Sequence, residues 1–220
     1  MKKYWPLAVP VVLYTAFAIT DIFWFRCAII VFLLAYVTWL LWARVPSRIR
    51  GKNAFVAAAF FFSIFGDLCL HFDEGRPAVF IAGVALYFIA HLSYIGFSIR
   101  NGKINWWIMG ALTIFFTLYF IFFLYPNIES IGILIAVFLY ILVSCVSVSA
   151  AAAIPLGKSM DKLAKGLVIG GISSLLFSDF ILSLHDFVGI STGYFLMLPT
   201  FYLSQMLITA ALIHLFYEKS

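Results

Sequence analysis

The sequence predicts an all-α protein, a polytopic transmembrane bundle of eight helices in which residues 1–220 form a single integral membrane domain. Two observations carry this prediction. The 220 residues are 65% hydrophobic and only 10% charged, whereas soluble domains are roughly half apolar. The apolar residues also form long runs, and the polar intervals between them are about a dozen residues or fewer, which is ordinary loop length. These intervals leave no room for a soluble domain.

Eight segments are candidate membrane spans, because a helix needs about 20 mostly apolar residues to cross the hydrocarbon core. Clusters of charged residues, proline and glycine separate the candidates, which are residues 7–20, 22–43, 53–72, 77–99, 104–124, 128–153, 166–184 and 192–217. The first candidate is short, and its boundary with the second, at Thr20 and Asp21, is the least distinct. If the first segment does not cross, seven crossings remain and the N-terminus changes sides.

With eight spans, the basic residues gather on the side that carries both termini. Of the 14 lysines and arginines, two fall on the other side, Arg26 and Arg76. Cytoplasmic loops carry an excess of such residues, so we expect both termini to be cytoplasmic and the protein to lie in the inner membrane of a bacterium. The net charge of +5 is accounted for by this bias and by anionic headgroups. The expected partner is therefore the lipid bilayer, and no nucleic-acid partner is predicted.

Two aspartates lie within apolar spans, each in a similar local sequence. Asp67 occurs in Phe-Gly-Asp-Leu and Asp179 in Phe-Ser-Asp-Phe. Because a carboxylate at hydrocarbon depth costs a few kcal/mol, such residues indicate a functional site. The two are 179 − 67 = 112 residues apart, close to half the chain, on helices predicted to run in the same direction. This spacing raises the hypothesis of a parallel four-plus-four repeat.

The two aspartates are the predicted catalytic residues. Both lie about 8–10 Å, or one to two turns, from the predicted outer ends of their spans, and facing each other they would form a carboxyl pair beneath the headgroups. Two carboxyl groups in a low-dielectric site cannot both ionise cheaply, so one should retain a proton. That arrangement suits general acid and base catalysis.

Other polar or small residues in the same spans are predicted to bind the substrate. They are Ser63, Gly66, His91, Tyr94, Ser178, Tyr202 and Gln205. Gly66 and Ser178 stand directly beside the aspartates, where a small residue lets backbones approach or leaves space for a ligand. His91 and Gln205 lie in the spans that follow those of the aspartates, and we expect them on the wall or floor of the site.

Three other interpretations stay open. A zinc ion is one of them, since Asp67 and His71 have the i, i+4 spacing that lets two side chains reach one ion, although zinc would need further ligands. Because the sequence has no HExxH motif, no metal and no cofactor are predicted. A proton-coupled small-molecule transporter would also use intramembrane acids, but with helices broken at the acids. A buried aspartate can also be purely structural. A serine nucleophile is not favoured, since no GxSxG motif surrounds the candidate serines.

Four short segments together resemble the YhhN family of integral membrane proteins, which includes lysoplasmalogenases. They are residues 62–67 (FSIFGD), 88–94 (FIAHLSY), 176–179 (LFSD) and 202–208 (YLSQMLI). The number of spans agrees, and Tyr140 in the sixth span also fits. The sequence departs from the family at Val146 and Ser147, where a methionine would be expected.

The resemblance implies an enzyme that hydrolyses the vinyl ether bond of lysoplasmalogens, the lysoplasmenyl-choline or -ethanolamine lipids. The products would be a fatty aldehyde and a glycerophospho-choline or -ethanolamine. Asp67 and Asp179 would be the catalytic pair, the substrate a lysophospholipid, and no metal or nucleotide would be needed. A metal-dependent lipid hydrolase and a proton-coupled transporter are the alternatives. Neither the headgroup preference nor the oligomeric state follows from the sequence.

Overall fold

The computed structural model describes residues 2–154 and 160–217, and it confirms the all-α bundle. Its eight α-helices are α1 (Ala8–Thr20), α2 (Phe23–Arg44), α3 (Ser47–His71), α4 (Pro77–Asn101), α5 (Trp106–Tyr119), α6 (Ile131–Ala152), α7 (Lys162–Val188) and α8 (Met197–Tyr217). Short helical turns extend three of them. A 3-10 turn, Lys2–Leu7, leads into α1, and another, Tyr194–Leu196, precedes α8. A π turn, Phe120–Leu124, continues α5.

Among the described residues, seven helical segments, one for each of α2 to α8, are long and apolar enough to cross a membrane. The exception is α1, which has 13 residues and is about 20 Å long. Its N-terminal 3-10 turn lengthens it, and the whole segment runs antiparallel to α8. The Tyr4 hydroxyl lies 3.2 Å from His214 near the end of α8, and the Tyr14 ring packs 5.6 Å from Tyr202 near its beginning. The described N-terminal residues and the end of α8 therefore share one end of the bundle, as eight spans require.

Six helices pack in a closed circuit that surrounds the core. In order around the circuit they are α2, α3, α4, α6, α7 and α8, and α8 returns to α2. The remaining two lie outside it, with α1 against α2 and α5 against α6. This packing repeats between the halves of the chain, since α5 to α8 make the same neighbour contacts as α1 to α4. The pattern agrees with the hypothesis of a four-plus-four repeat.

The seventh helix is longer than predicted at both ends. It continues through His185 and Asp186 and ends at Val188, followed by the capping residue Gly189, whose φ of 75° is in the left-handed region that glycine adopts readily. Asp179 therefore lies 188 − 179 = 9 residues, about 13 Å, before the end of α7, whereas Asp67 lies 71 − 67 = 4 residues, about 6 Å, before the end of α3. The expectation that both aspartates lie 8–10 Å from their helix ends was wrong.

The end of the bundle that holds the N-terminal segment is joined by a polar cluster. Asp161 caps α7 by accepting a hydrogen bond from the backbone N–H of Ala164, and His214 Nε2 lies 2.8 Å from its Oδ2. Desolvation raises the pKa of Asp161, but the hydrogen bonds from His214 and Ala164 outweigh it, so that the pKa falls below its ordinary value. With Tyr4 on the other nitrogen of His214, the cluster ties together the N-terminal segment, α7 and α8.

Candidate active site

A cavity of about 650 Å³ lies at the opposite end of the bundle, within the size range of small-molecule sites in proteins. All helices from α2 to α8 contribute to its wall. Its polar lining residues are Arg26, Asp67, His71, Asp73, Tyr87, Tyr119, Tyr140, Ser144, Ser178, Asp179, Ser183, His185, Asp186 and Tyr194. The fold thus brings both predicted catalytic aspartates, which are 112 residues apart in sequence, to one cavity.

Asp67 is held by an arginine. Arg26 Nη2 donates to Asp67 Oδ1 at 2.8 Å, and the two side chains are 16% and 9% exposed. The antiparallel helices α2 and α3 place the pair at one level, because Arg26 follows the start of α2 by one turn and Asp67 precedes the end of α3 by one turn. Tyr202 supports the arginine, whose Nε lies 3.4 Å from the tyrosine hydroxyl. Asp67 Oδ2 is buried without a hydrogen-bond partner in the described part of the chain.

Asp179 is held by a tyrosine and a histidine. The Tyr140 hydroxyl donates to Asp179 Oδ2 at 2.6 Å. His91 Nε2 lies 3.1 Å from that hydroxyl and 3.8 Å from Asp179 Oδ2. His91 is fully buried, whereas the Asp179 side chain is 19% exposed, about twice the exposed fraction of Asp67. Asp179 therefore presents the more accessible carboxyl group, and its closest contact is a hydroxyl rather than a guanidinium.

The two aspartate environments are built from corresponding helices of the two halves of the chain. Each aspartate is bound by a residue from the second helix of its own half, Arg26 from α2 or Tyr140 from α6, and these two are 140 − 26 = 114 residues apart. Each environment is completed by the fourth helix of the other half, Tyr202 from α8 or His91 from α4. The corresponding helices of the two halves thus provide a cation to one aspartate and a phenol to the other.

One of the seven predicted substrate-binding residues, Ser178, lines the cavity. Its hydroxyl donates to the Met197 carbonyl at 2.8 Å, so it also joins α7 to the start of α8. The other six are absent from the described cavity wall: Ser63, Gly66, His91, Tyr94, Tyr202 and Gln205. His91 and Gln205 in particular were expected on the wall or floor, and the structure places both behind it.

The positions of the other six have local physical reasons. Ser63 donates to the Ala59 carbonyl of its own helix at 2.9 Å. At Gly66, a Cβ atom would come within 2.7 Å of the Tyr87 ring, so the space beside the glycine is occupied by that ring, which does line the cavity. The Tyr94 hydroxyl donates to Gln205 Oε1 at 3.1 Å, and both residues are fully buried. His91 and Tyr202 contact the partners of the aspartates.

Arg26, Tyr119 and Tyr140 were not predicted from the sequence as site residues, although all three line the cavity. A signal was present for Arg26, because it is an arginine near the start of an apolar span on the side depleted of positive charge. Tyr140 belonged to the family pattern but was given no role. Tyr119 contacts Ser183 of α7, 64 residues away, and no sequence pattern indicates such a tertiary pair.

The possible metal ligands do not converge. Among the described residues, no group of three or more histidine, cysteine, aspartate or glutamate side chains could hold a metal ion. His71 stacks on the Phe23 ring with 3.6 Å between centroids. His185 pairs with Asp186 at 2.8 Å and stacks on Tyr194. Within the described residues, no further ligands therefore join Asp67 and His71, although these two have the i, i+4 spacing.

The geometry can be set beside known proteins. No curated protein and no solved structure matches the chain. The model of the YhhN family matches residues 21–212, which include Arg26, Asp67, His91, Tyr140, Asp179 and all of the cavity lining. The match begins at the turn before α2 and ends within α8, so it covers all of α2 to α7 and most of α8. The chain therefore belongs to the YhhN family.

Proposed function

We propose that the protein is a membrane-embedded hydrolase that cleaves the vinyl ether bond of lysoplasmalogens. Its products are a fatty aldehyde and a glycerophospho-choline or -ethanolamine. Membership of the YhhN family, which includes lysoplasmalogenases, supports the choice of substrate. The observation that carries the catalytic part is the pair of carboxyl groups, Asp67 and Asp179, in one cavity with different partners.

The cavity suits a lipid with one polar and one apolar end. Its outer part holds His71, Asp73, His185 and Asp186, while aromatic and aliphatic side chains line much of the rest. Arg26 is the one arginine or lysine among the described lining residues. An arginine binds a phosphate well through its planar set of donors. In our proposal the headgroup phosphate lies near Arg26, and the bond just below the glycerol reaches the aspartates.

Asp179 supplies the proton in the first step. A vinyl ether is cleaved by protonation of its β-carbon, which leaves an oxocarbenium ion. Asp67, paired with Arg26, remains the carboxylate that stabilises this cation and accepts a proton from the attacking water. Water adds to the carbon next to the ether oxygen, and a hemiacetal results.

The second step returns both carboxyl groups to their starting states. The hemiacetal hydroxyl gives its proton to Asp179, and Asp67 gives the proton it accepted to the glycerol oxygen. The carbon–oxygen bond to glycerol breaks, and aldehyde and alcohol leave. Tyr140 and His91 hold Asp179 in position through the contacts of 2.6 and 3.8 Å. This chemistry needs no metal or nucleotide.

The course of the helices favours a hydrolase over a transporter with broken helices. Transporters of that kind bind their cargo at discontinuous helices. Here α3 and α7 are continuous α-helices through Asp67 and Asp179, so neither aspartate lies at a helix break.

The proposal is tested by incubating the purified protein in detergent with lysoplasmalogens, ester lysolipids and diacyl plasmalogens, and by following the products by mass. We expect fatty aldehyde from the lysoplasmalogens. Release of fatty acid from the ester lipids, with no aldehyde from any vinyl ether, would reject the proposed reaction. Equal aldehyde release from diacyl plasmalogens would reject the preference for a single-chain lipid.

A further inference from the structure

The cavity is shallow below Asp179. Leu176 lies on the wall three residues before Asp179, which is about 4.5 Å further into the bundle along α7. Ser144 lies one turn beyond Tyr140 on α6. Deeper still, Tyr94 and Gln205 are fully buried and bonded to each other. A long hydrocarbon chain attached to a group at Asp179 therefore cannot continue down the bundle axis.

The cavity extends sideways instead, to a helix outside the six-helix circuit. Phe116 and Tyr119 of α5 line it, and Phe180 and Ser183 of α7 lie opposite them. The Phe180 ring centroid is 6.1 Å from that of Phe116 and 4.9 Å from that of Tyr119. These three rings are in contact, so aromatic side chains fill the passage between α5 and α7, and they would line a hydrocarbon chain once the two helices part.

The outer surface of α5 beside this passage is apolar and exposed. On α5 and the π turn that follows it, Ile114, Phe115 and Phe122 are 65%, 57% and 68% exposed. In a membrane-spanning helix, such a surface contacts lipid. A chain that lies between α5 and α7 therefore has the aspartates at one end and the bilayer interior at the other.

One hydrogen bond crosses the passage. The Tyr119 hydroxyl and Ser183 Oγ are 2.9 Å apart. Directly after Tyr119, the helix changes to the π turn Phe120–Leu124, a rare conformation that is often found at functional sites. The equivalent helix of the first half, α1, is held against α8 through Tyr4 and Tyr14. Because α5 packs mainly on α6, separating it from α7 disturbs few other contacts.

We propose that the space between α5 and α7 is the binding site for the single hydrocarbon chain of the lipid substrate, which enters sideways from the bilayer as Tyr119 and Ser183 separate. The identity of the lipid rests on the proposed function. The site itself requires only an amphiphile with one chain.

A photoreactive lipid tests this site without relying on catalysis. The probe is a saturated, single-chain alkyl ether glycerophospholipid with a diazirine in the middle of its chain, which cannot undergo vinyl ether hydrolysis. Labelled positions are mapped by peptide mass spectrometry, with and without excess unlabelled single-chain lipid. We expect labelling that the competitor suppresses at residues 116–119 and 180–183. Competitor-sensitive labelling confined to α2 and α8 would overturn the proposal.

Two variants complete the experiment. Ser183→Trp fills the passage and should reduce the competitor-sensitive labelling at least fivefold, whereas Ile114→Trp adds the same side chain on the lipid-facing side of α5 and should not. Ser183→Leu is a smaller substitution for use if the tryptophan prevents folding, which thermal unfolding reveals. Wild-type labelling in a folded Ser183 variant would also overturn the proposal. Labelling at these residues without any aldehyde release would reject the proposed reaction but keep the chain site. Aldehyde release without labelling at these residues would reject the chain site but keep the proposed reaction.

Discussion

The surroundings of Asp67 and of Asp179 occupy equivalent places in the two halves of the bundle, yet they differ in charge and depth. Asp67 lies one turn from the end of α3 and pairs with Arg26, and 9% of its side chain is exposed. Asp179 lies more than two turns from the end of α7, contacts Tyr140 and His91, and is 19% exposed. The comparison teaches that the same arrangement of helices supplies two carboxyl groups, and that their neighbours make the two chemically different.

The difference gives each carboxyl group its proposed role. The Arg26 guanidinium gives Asp67 a charged hydrogen-bond donor at 2.8 Å. Asp179 has a neutral hydroxyl as its closest contact. Enzymes that use two carboxyl groups as acid and base commonly separate their roles in this way, through unlike environments. Five substitutions test whether the distinction holds.

The largest loss of activity is expected from Asp179→Asn. The amide cannot donate the proton that the vinyl ether needs, and removal of a general acid typically lowers the rate by about 10²- to 10⁴-fold. The Tyr140 hydroxyl can still donate to the amide oxygen, so the thermal unfolding midpoint should change little. Aldehyde release from lysoplasmalogen and a melting curve measure the two effects. Activity within a few-fold of wild type would remove Asp179 from the mechanism.

Asp67→Asn should also abolish most activity, but with a loss of stability that Asp179→Asn does not cause. The substitution leaves Arg26, 16% exposed, without its counter-charge. Breaking a fully buried ion pair costs about 3–5 kcal/mol, and with this residual exposure we expect about 2 kcal/mol. Melting curves of the two asparagine variants, recorded side by side, provide the measurement. Equal midpoints would show that the two environments are not distinct in the way described.

Arg26→Gln should weaken substrate binding. Loss of a charge-assisted hydrogen bond costs about 1.5–3 kcal/mol, or roughly a ten- to hundredfold change. We expect most of it as a higher KM, because we propose that the arginine binds the headgroup phosphate. Arg76→Gln is the matched control, since Arg76 lies on the same side of the membrane but its side chain is 58% exposed. If both variants raised KM equally, a general surface effect would replace the specific contact.

The smallest effects are expected from two tyrosine variants. Tyr140→Phe removes the 2.6 Å hydrogen bond to Asp179 and should lower kcat about tenfold, equivalent to about 1.4 kcal/mol. Tyr94→Phe removes a bond to Gln205 behind the cavity and should cost about 1 kcal/mol of stability, with activity within about twofold of wild type. A kcat that fell as much in Tyr94→Phe would return Tyr94 to the substrate-binding residues that the sequence suggested.

The sequence by itself determined the bundle, its helices and the two acids. Long apolar runs specify membrane helices because each backbone polar group must find its partner within the segment, and this requirement is local. A carboxylate in such a run can be recognised from the sequence for the same reason, since the free-energy cost of burying it depends on its immediate surroundings. The family motifs around Asp67 and Asp179 could also be recognised from short segments of the sequence. The extra turn at the C-terminal end of α7 could not be predicted, because His185 and Asp186 resemble a loop in composition.

Only the tertiary structure decided which residues share the cavity. Arg26 and Asp67 are 41 residues apart, and His91 and Asp179 are 88 apart, so their contacts depend on how the helices meet in the six-helix circuit. The rotation of each helix likewise placed Tyr119 and Tyr140 on the wall while Tyr94 and Gln205 face each other behind it. A helical pattern shows which residues share a face, but the direction of that face is set by packing against the neighbouring helices.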